Sequence, residues 1–257
     1  MTTPAMPLDA QPTPHAASDW LMLTAHRGFA RLQRVVLGAT PVKGGYYRDK
    51  WLVAERAGVP LYTYAEQPGS AIAMFRDAVA SAIATHLPRE PQVVEIGTGA
   101  GFIAARLLAV RSAAEYLSFE PERYLSRHLD KWLGACGLRT MPCRGADLEG
   151  VSNASCDAVI SYGVFTVIDV APMFRYLDEA ARVLKPGGVL AFDVFDTDAY
   201  GQDMADMIAL QTGRGQSRPY LSVSFLEKHL ASLGFEGCGS VPNPSQPFAA
   251  MHLFRRL

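Results

Sequence analysis

The stretch Val93–Leu107, VVEIGTGAGFIAARL, decides how this chain of 257 residues is read. A run of strand-formers, Val93, Val94 and Ile96, ends at Gly97, and glycine recurs at 99 and 101 before an apolar run that suits a helix. Glycine tolerates positive φ and lets backbone approach a ligand closely. The helix that follows offers unpaired N–H groups at its start. A ligand-free turn from strand to helix can be made with one glycine. Three glycines in five residues point to something lying against the backbone.

The neighbours narrow the ligand. A dinucleotide-binding turn reads G-x-G-x-x-G. Here the third glycine comes one residue early, and Phe102 stands where that fingerprint wants Gly or Ala. Glu95 sits two residues before the first glycine. A carboxylate aimed at the turn would oppose a pyrophosphate and suit an ammonium or hydroxyl groups; the alternative is a solvated carboxylate at the strand edge. Both features argue against a nicotinamide-dependent oxidoreductase.

Outward from the glycines, short apolar runs alternate with helical stretches. Strands are expected at 93–97, 115–120, about 140–144, 156–161 and 188–195, and helices at 101–111, 122–136, 171–184 and 222–233. This alternation predicts an α/β fold, a doubly wound parallel sheet. Two late strands, near 235–241 and 248–255, are joined by PNPSQP with no helix between them, which favours an antiparallel pair. The second strand ends at Glu120, about twenty residues beyond the glycines, where a carboxylate can accept hydrogen bonds from both hydroxyls of a ribose; the alternative is a carboxylate favoured by a helix start. After the third strand, Asp147 could hold an amino group on an adenine edge, or simply make a loop turn.

VVEIGTGAG, Glu120, GADLEG, CDAVISYGVF and VLKPGGVLAFDVF, in this order, resemble the ordered motifs of class I S-adenosylmethionine-dependent methyltransferases of the small-molecule type. The resemblance spans Gln92 to about Phe195. It implies a Rossmann-like, seven-stranded sheet whose last strand is antiparallel, with S-adenosyl-L-methionine over the carboxyl ends of the strands. Carried over residue by residue, Glu95, Gly97, Thr98, Gly99, Gly101 and Phe102 surround the methionine end. Glu120 and Pro121 meet the ribose, Asp147 and Leu148 frame the adenine, and Ser161 and Tyr162 lie beside the sulfonium.

The acceptor side is less marked. The D/N-P-P-Y signature of amino methylation is absent, since the fourth strand runs into ISYGVF. The acidic set of magnesium-dependent catechol-type enzymes is not matched, because Ser161 stands where an acid is required, so no metal is expected. Tyr162 and Asp196 are the catalytic candidates, each able to bind or deprotonate a hydroxyl; their alternatives are packing and a loop cap. His128 and His229 read as surface or packing residues. A hydroxyl oxygen of a small molecule is the expected acceptor. The alternatives are N-methylation of a small amine or heterocycle, and a non-catalytic protein that binds S-adenosylmethionine.

Composition sets the remaining bounds. Lys and Arg number 24 against 25 Asp and Glu, a formal net charge of −1, without the basic excess that phosphate contacts demand. Nucleic acid is therefore not the expected partner. The four cysteines form no CxxC pair, which fits free thiols in a reducing cytoplasm. No apolar run approaches the roughly 18 residues of a membrane span, and no membrane partner is expected. Residues 1–18, with four prolines and neither a basic nor an apolar signal region, read as a disordered leader. Residues 19–91 read as an N-terminal helical lid or extension. It has a helix from Asp19, a Gly/Pro-punctuated segment with Tyr46, Tyr47, Trp51, Tyr62 and Tyr64, and an alanine-rich helix over 71–86. Residues 92–257 read as the core, with 197–220 inserted as a second lid. The N-terminal helices could also form a homodimer contact.

Overall fold

The structure is a computed structural model and describes residues 45–112, 115–199, 219–246 and 248–257. The expected leader, the helix from Asp19 and nearly all of the insertion lie outside the described residues. The chain divides into two compact units, Met1–Pro68 and Gly69–Leu257.

In the described part of the first unit, helix α1 spans Gly45–Ala57 and helix α2 spans Leu61–Tyr64. Gly58, at φ +66°, ends α1, and Pro60 precedes α2. The Gly/Pro-punctuated segment thus carries two helices. RDKWLVAERA carries enough good helix formers to propagate a helix despite the β-preferring Tyr and Trp beside them.

The second unit opens with helix α3, Ala71–Ala84, whose N-cap Ser70 accepts the Ala73 N–H at 3.3 Å. Strand β1 (Gln92–Ile96) leads through the glycine turn into helix α4 (Phe102–Val110). Strand β2 (Glu115–Phe119), helix α5 (Arg123–Leu133) and strand β3 (Leu138–Thr140) follow. Strand β4 (Cys156–Ser161), helix α6 (Val170–Val183) and strand β5 (Leu184–Asp193) complete the parallel part. Short strands β6 (Phe195–Asp196) and β7 (Tyr220–Leu221) pair with each other in parallel across the connection. Helix α7 (Val223–Ser232) and strands β8 (Phe235–Val241) and β9 (Met251–Arg256) end the chain.

The main sheet has seven strands in the order β3-β2-β1-β4-β5-β9-β8. The neighbours from β3 to β5 are parallel, and β9 is antiparallel to both β5 and β8. The last strand is thus the reversed one, as expected. Two boundaries differ. β3 lies at 138–140 rather than 140–144, because backbone pairing to β2 starts at Tyr116↔Leu138. β5 starts at Leu184, before the Pro186-Gly187-Gly188 turn, and ends at Asp193.

Strands of a parallel sheet are covered on both faces and read as near-continuous apolar runs. One face buries Val94, Ile96, Leu117, Phe119 and Phe192 against Met173 and Leu177 of α6 and Leu226 and Leu230 of α7. Helix α3, which the sequence places in the extension, lies in the sheet-bearing unit and packs against α4. Its Asp77 pairs with Arg106 at 2.6 Å.

Candidate active site

The first parallel strands end together, and their exit loops form one cluster. Gly97 (φ +65°), Gly99 (φ +58°) and Gly101 (φ +88°) all adopt the left-handed conformation. A Cβ on Gly97 would stand 2.4 Å from Val164 Cγ2, so the loop after β4 closes directly onto the turn. Gly101 N–H donates to the Thr98 carbonyl at 3.0 Å, tightening the turn before α4 begins at Phe102.

Beneath the turn runs a buried polar chain. Tyr116 Oη donates to Glu95 Oε2 at 2.8 Å, and Ser118 Oγ donates to Thr98 Oγ1 at 2.8 Å. Glu95 is 1% exposed, so it is not a solvated carboxylate at the strand edge. Burial pushes its carboxyl up to about 8, against the opposing effect of hydrogen bonds from Tyr116 and Thr98.

Glu120 lies at the end of β2, also buried. Its Oε2 accepts the Gly99 N–H at 2.7 Å, and its Oε1 accepts the Glu122 N–H at 2.9 Å. Burial raises its pKa above the usual carboxylate range, opposed by these two backbone donors. Pro121 follows on the surface. Asp147 is exposed, whereas Leu148 is fully buried. Helix α6 braces their loop: Leu148 N–H donates to Glu179 Oε2 at 3.0 Å, and Tyr176 Oη donates to the Gly145 carbonyl at 2.8 Å.

At the end of β4, Ser161 Oγ is buried with no hydrogen-bond partner among the described residues. The next residue, Tyr162, accepts the Arg76 Nε–H at 3.1 Å. The Arg76 guanidinium lies 3.5 Å from the centroid of the Phe102 ring. One side chain of α3 thereby spans the start of α4 and the exit of β4.

Asp196 sits apart from these contacts. Its Oδ1 accepts the N–H groups of Asp198 (2.9 Å) and Val223 (3.1 Å), tying the exit of β5 to the start of α7. Asp198 Oδ2 accepts Ser222 Oγ at 2.9 Å and also the Ser224 hydroxyl. His128 is buried against Trp132, and the His229 ring packs on Phe174. Among the described residues no three His, Cys, Asp or Glu side chains group as a metal site. Two surface depressions, one lined by Phe235 and Phe254 and the other by Asp157 and Gly188, lie at the opposite, amino-terminal ends of the parallel strands.

Residues 94–192, from β1 through β5, match the family model described as a methyltransferase domain. Residues 94–192 thus carry a methyltransferase domain. The chain is 31% identical over 110 residues to the ribosomal RNA small subunit methyltransferase G of Acidothermus cellulolyticus, an alignment covering 43% of this chain and 46% of that relative. It therefore spans about half the length of that curated relative. Among solved structures it is similar to the 1,6-didemethyltoxoflavin-N1-methyltransferase of Burkholderia thailandensis, with 16% identity, a TM-score of 0.54 and coverage of 95% of this chain and 92% of that one. It is also similar to the mitomycin 7-O-methyltransferase, with 18% identity, a TM-score of 0.56 and coverage of 93% and 67%.

The geometry of the site adds residues that the motif reading did not single out. Tyr116 and Arg76 touch the motif loops without belonging to a motif, and Asp193, inside VLKPGGVLAFDVF, reaches the loop after β4. Tyr116 had one readable signal, since a tyrosine inside a central strand needs a partner for its hydroxyl. Among the described residues, no helix is long and apolar enough to cross a membrane.

Proposed function

We propose that this methyltransferase moves a methyl group from S-adenosylmethionine to a small-molecule acceptor, at a hydroxyl oxygen. The observation that carries the reading is the bond from Gly99 N–H to Glu120, which ties the glycine turn to the acid that follows β2. The donor set fits the cofactor. Two buried carboxyls under and beside the turn suit an ammonium and hydroxyl groups, and the unpartnered Ser161 hydroxyl is available to a ligand. Gly97, Thr98, Gly99, Gly101 and Phe102 would hold the methionine end, with Glu95 bracing Thr98 from below. Glu120 and Pro121 would hold the ribose, and Asp147 and Leu148 the adenine. Ser161 and Tyr162 would face the reacting methyl.

When bound, S-adenosylmethionine supplies a methyl on a sulfonium sulfur, already activated for displacement. The protein's share is to orient the acceptor and exclude water. A hydroxyl acceptor must release a proton as the new bond forms. Tyr162 Oη, oriented by Arg76, is the group we place nearest that proton. Asp196 ranks behind it, because its Oδ1 already serves two backbone donors.

A second reading, methylation of ribosomal RNA, is favoured by the name of the curated relative. A third, N-methylation, is favoured by the name of the toxoflavin-pathway neighbour. Incubation with methyl-tritiated S-adenosylmethionine and panels of phenols, amines, carboxylates and small-subunit ribosomal RNA separates them. Label on a hydroxyl-bearing small molecule supports the proposal. Label confined to RNA or to amines replaces it with the corresponding alternative.

A further inference from the structure

Asp193 ends β5, two strands away from the glycine turn, and although it lies inside VLKPGGVLAFDVF no site role is given to it above. Its side chain is 5% exposed. Its Oδ1 accepts the Gly163 N–H at 2.7 Å. Gly163 lies between Tyr162 and Val164 and has φ +71°, a left-handed conformation that glycine adopts without strain. Val164, the next residue, closes onto Gly97, leaving no room there for even a methyl group. The contacts therefore run from Asp193 to Gly163, from the Gly163 loop to Val164, and from Val164 to the glycine turn. Tyr162 is carried on the same loop.

We infer that Asp193 is a positioning residue, a buried latch that sets the 162–164 loop against the glycine turn and so shapes both the cofactor-holding and the acceptor-facing sides of the site. This rests on the methyltransferase reading above. Ionised, Asp193 makes a charge-assisted bond to Gly163, about twice as strong as a neutral one. Burial pushes its carboxyl up to about 7, opposed by the N–H groups of Gly163 and of Asp193 itself. The latch accordingly tightens as pH rises through that value. Other titratable groups stand on the neighbouring elements. Tyr162 follows β4, Asp196 follows β5, His252 lies on β9 opposite Phe192, and Glu95 and Glu120 lie under and beside the turn. Their contributions are common to wild type and to an Asp193 variant, so the difference between the two isolates Asp193.

The test is calorimetric titration of S-adenosylhomocysteine into wild type, Asp193→Asn and Asp193→Ala between pH 6 and 8, with circular dichroism to check folding. Asn keeps an oxygen that can accept from Gly163 but does not ionise. The expected result is that wild type binds several-fold more tightly at pH 8 than at pH 6, that the Asn variant loses this rise, and that the Ala variant binds about tenfold or more weakly at pH 8, the effect of losing a hydrogen bond to a charged group. A folded Ala variant with wild-type affinity, or an Asn variant whose pH profile superimposes on that of wild type, overturns the inference while leaving the function intact. Absence of binding by wild type at every pH removes the functional reading and this inference with it.

Discussion

The backbone N–H of Gly99 donates to Oε2 of Glu120 at 2.7 Å, joining two motifs 21 residues apart in sequence. The acid that follows β2 does not merely wait for a ribose. It already fixes the turn against which the ligand would lie.

Glu120→Ala removes both that brace and the proposed ribose contacts. Hydrogen bonds to charged groups contribute about 1.5–3 kcal/mol each. Affinity for S-adenosylhomocysteine is expected to fall by an order of magnitude or more in calorimetry. Unchanged affinity would remove Glu120 from the site.

Gly97→Ala tests the closed turn. The new methyl meets Val164 Cγ2 at 2.4 Å, and φ +65° adds strain of about 1–2 kcal/mol for any L-residue. Binding should be lost and the thermal midpoint lowered by several degrees. Adding Val164→Ala should recover part of the midpoint, since it relieves the collision and not the backbone strain. A single variant that binds normally would mean that the loop does not set the site.

Glu95 ties pH to stability. Its carboxyl titrates near 8 when folded and near 4.5 when unfolded, so between those values the folded state holds the extra proton. Stability from this group is fully present below about 4.5 and is lost as pH rises toward 8. The loss is on the order of a few kcal/mol, because each pH step of one between the two values costs about 1.36 kcal/mol. In denaturant melts, Glu95→Gln should lose less stability than wild type between pH 5 and 8. Parallel curves would show that Glu95 does not titrate in that range.

Tyr162→Phe deletes the oxygen that accepts from Arg76 and leaves the ring beside Phe75. Affinity for S-adenosylhomocysteine should stay within about threefold, whereas transfer to the acceptor found in the screen should drop about tenfold or more, the low end of a proton-transfer contribution. An equal loss in both would move Tyr162 from the acceptor side to the cofactor side.

The course of the sheet was legible because its signals are local. Val93–Ile96, the three glycines and the apolar start of α4 state strand, turn and helix in one line, and the alternation repeats through β5. Other features are written in contacts between distant residues. Arg76 lies 86 residues from Tyr162, and nothing around it in MFRDAV announces a partner. Asp196 reads as an acid at a substrate mouth until α7 is placed, whereupon it is seen to hold the helix start. β6 and β7 are two residues each, too short to show any period. Helix α1 was hidden by its aromatic residues, whose strand preference masks the helix formers around them.

The most direct test of the central claim is a thermal unfolding series with S-adenosylhomocysteine, with NAD and with no ligand. A ligand that binds only the folded state raises the midpoint as its sites fill. A rise of several degrees with S-adenosylhomocysteine alone is the predicted result. No rise with it, or a rise with NAD alone, would contradict the assignment of the glycine turn and of the site built around it.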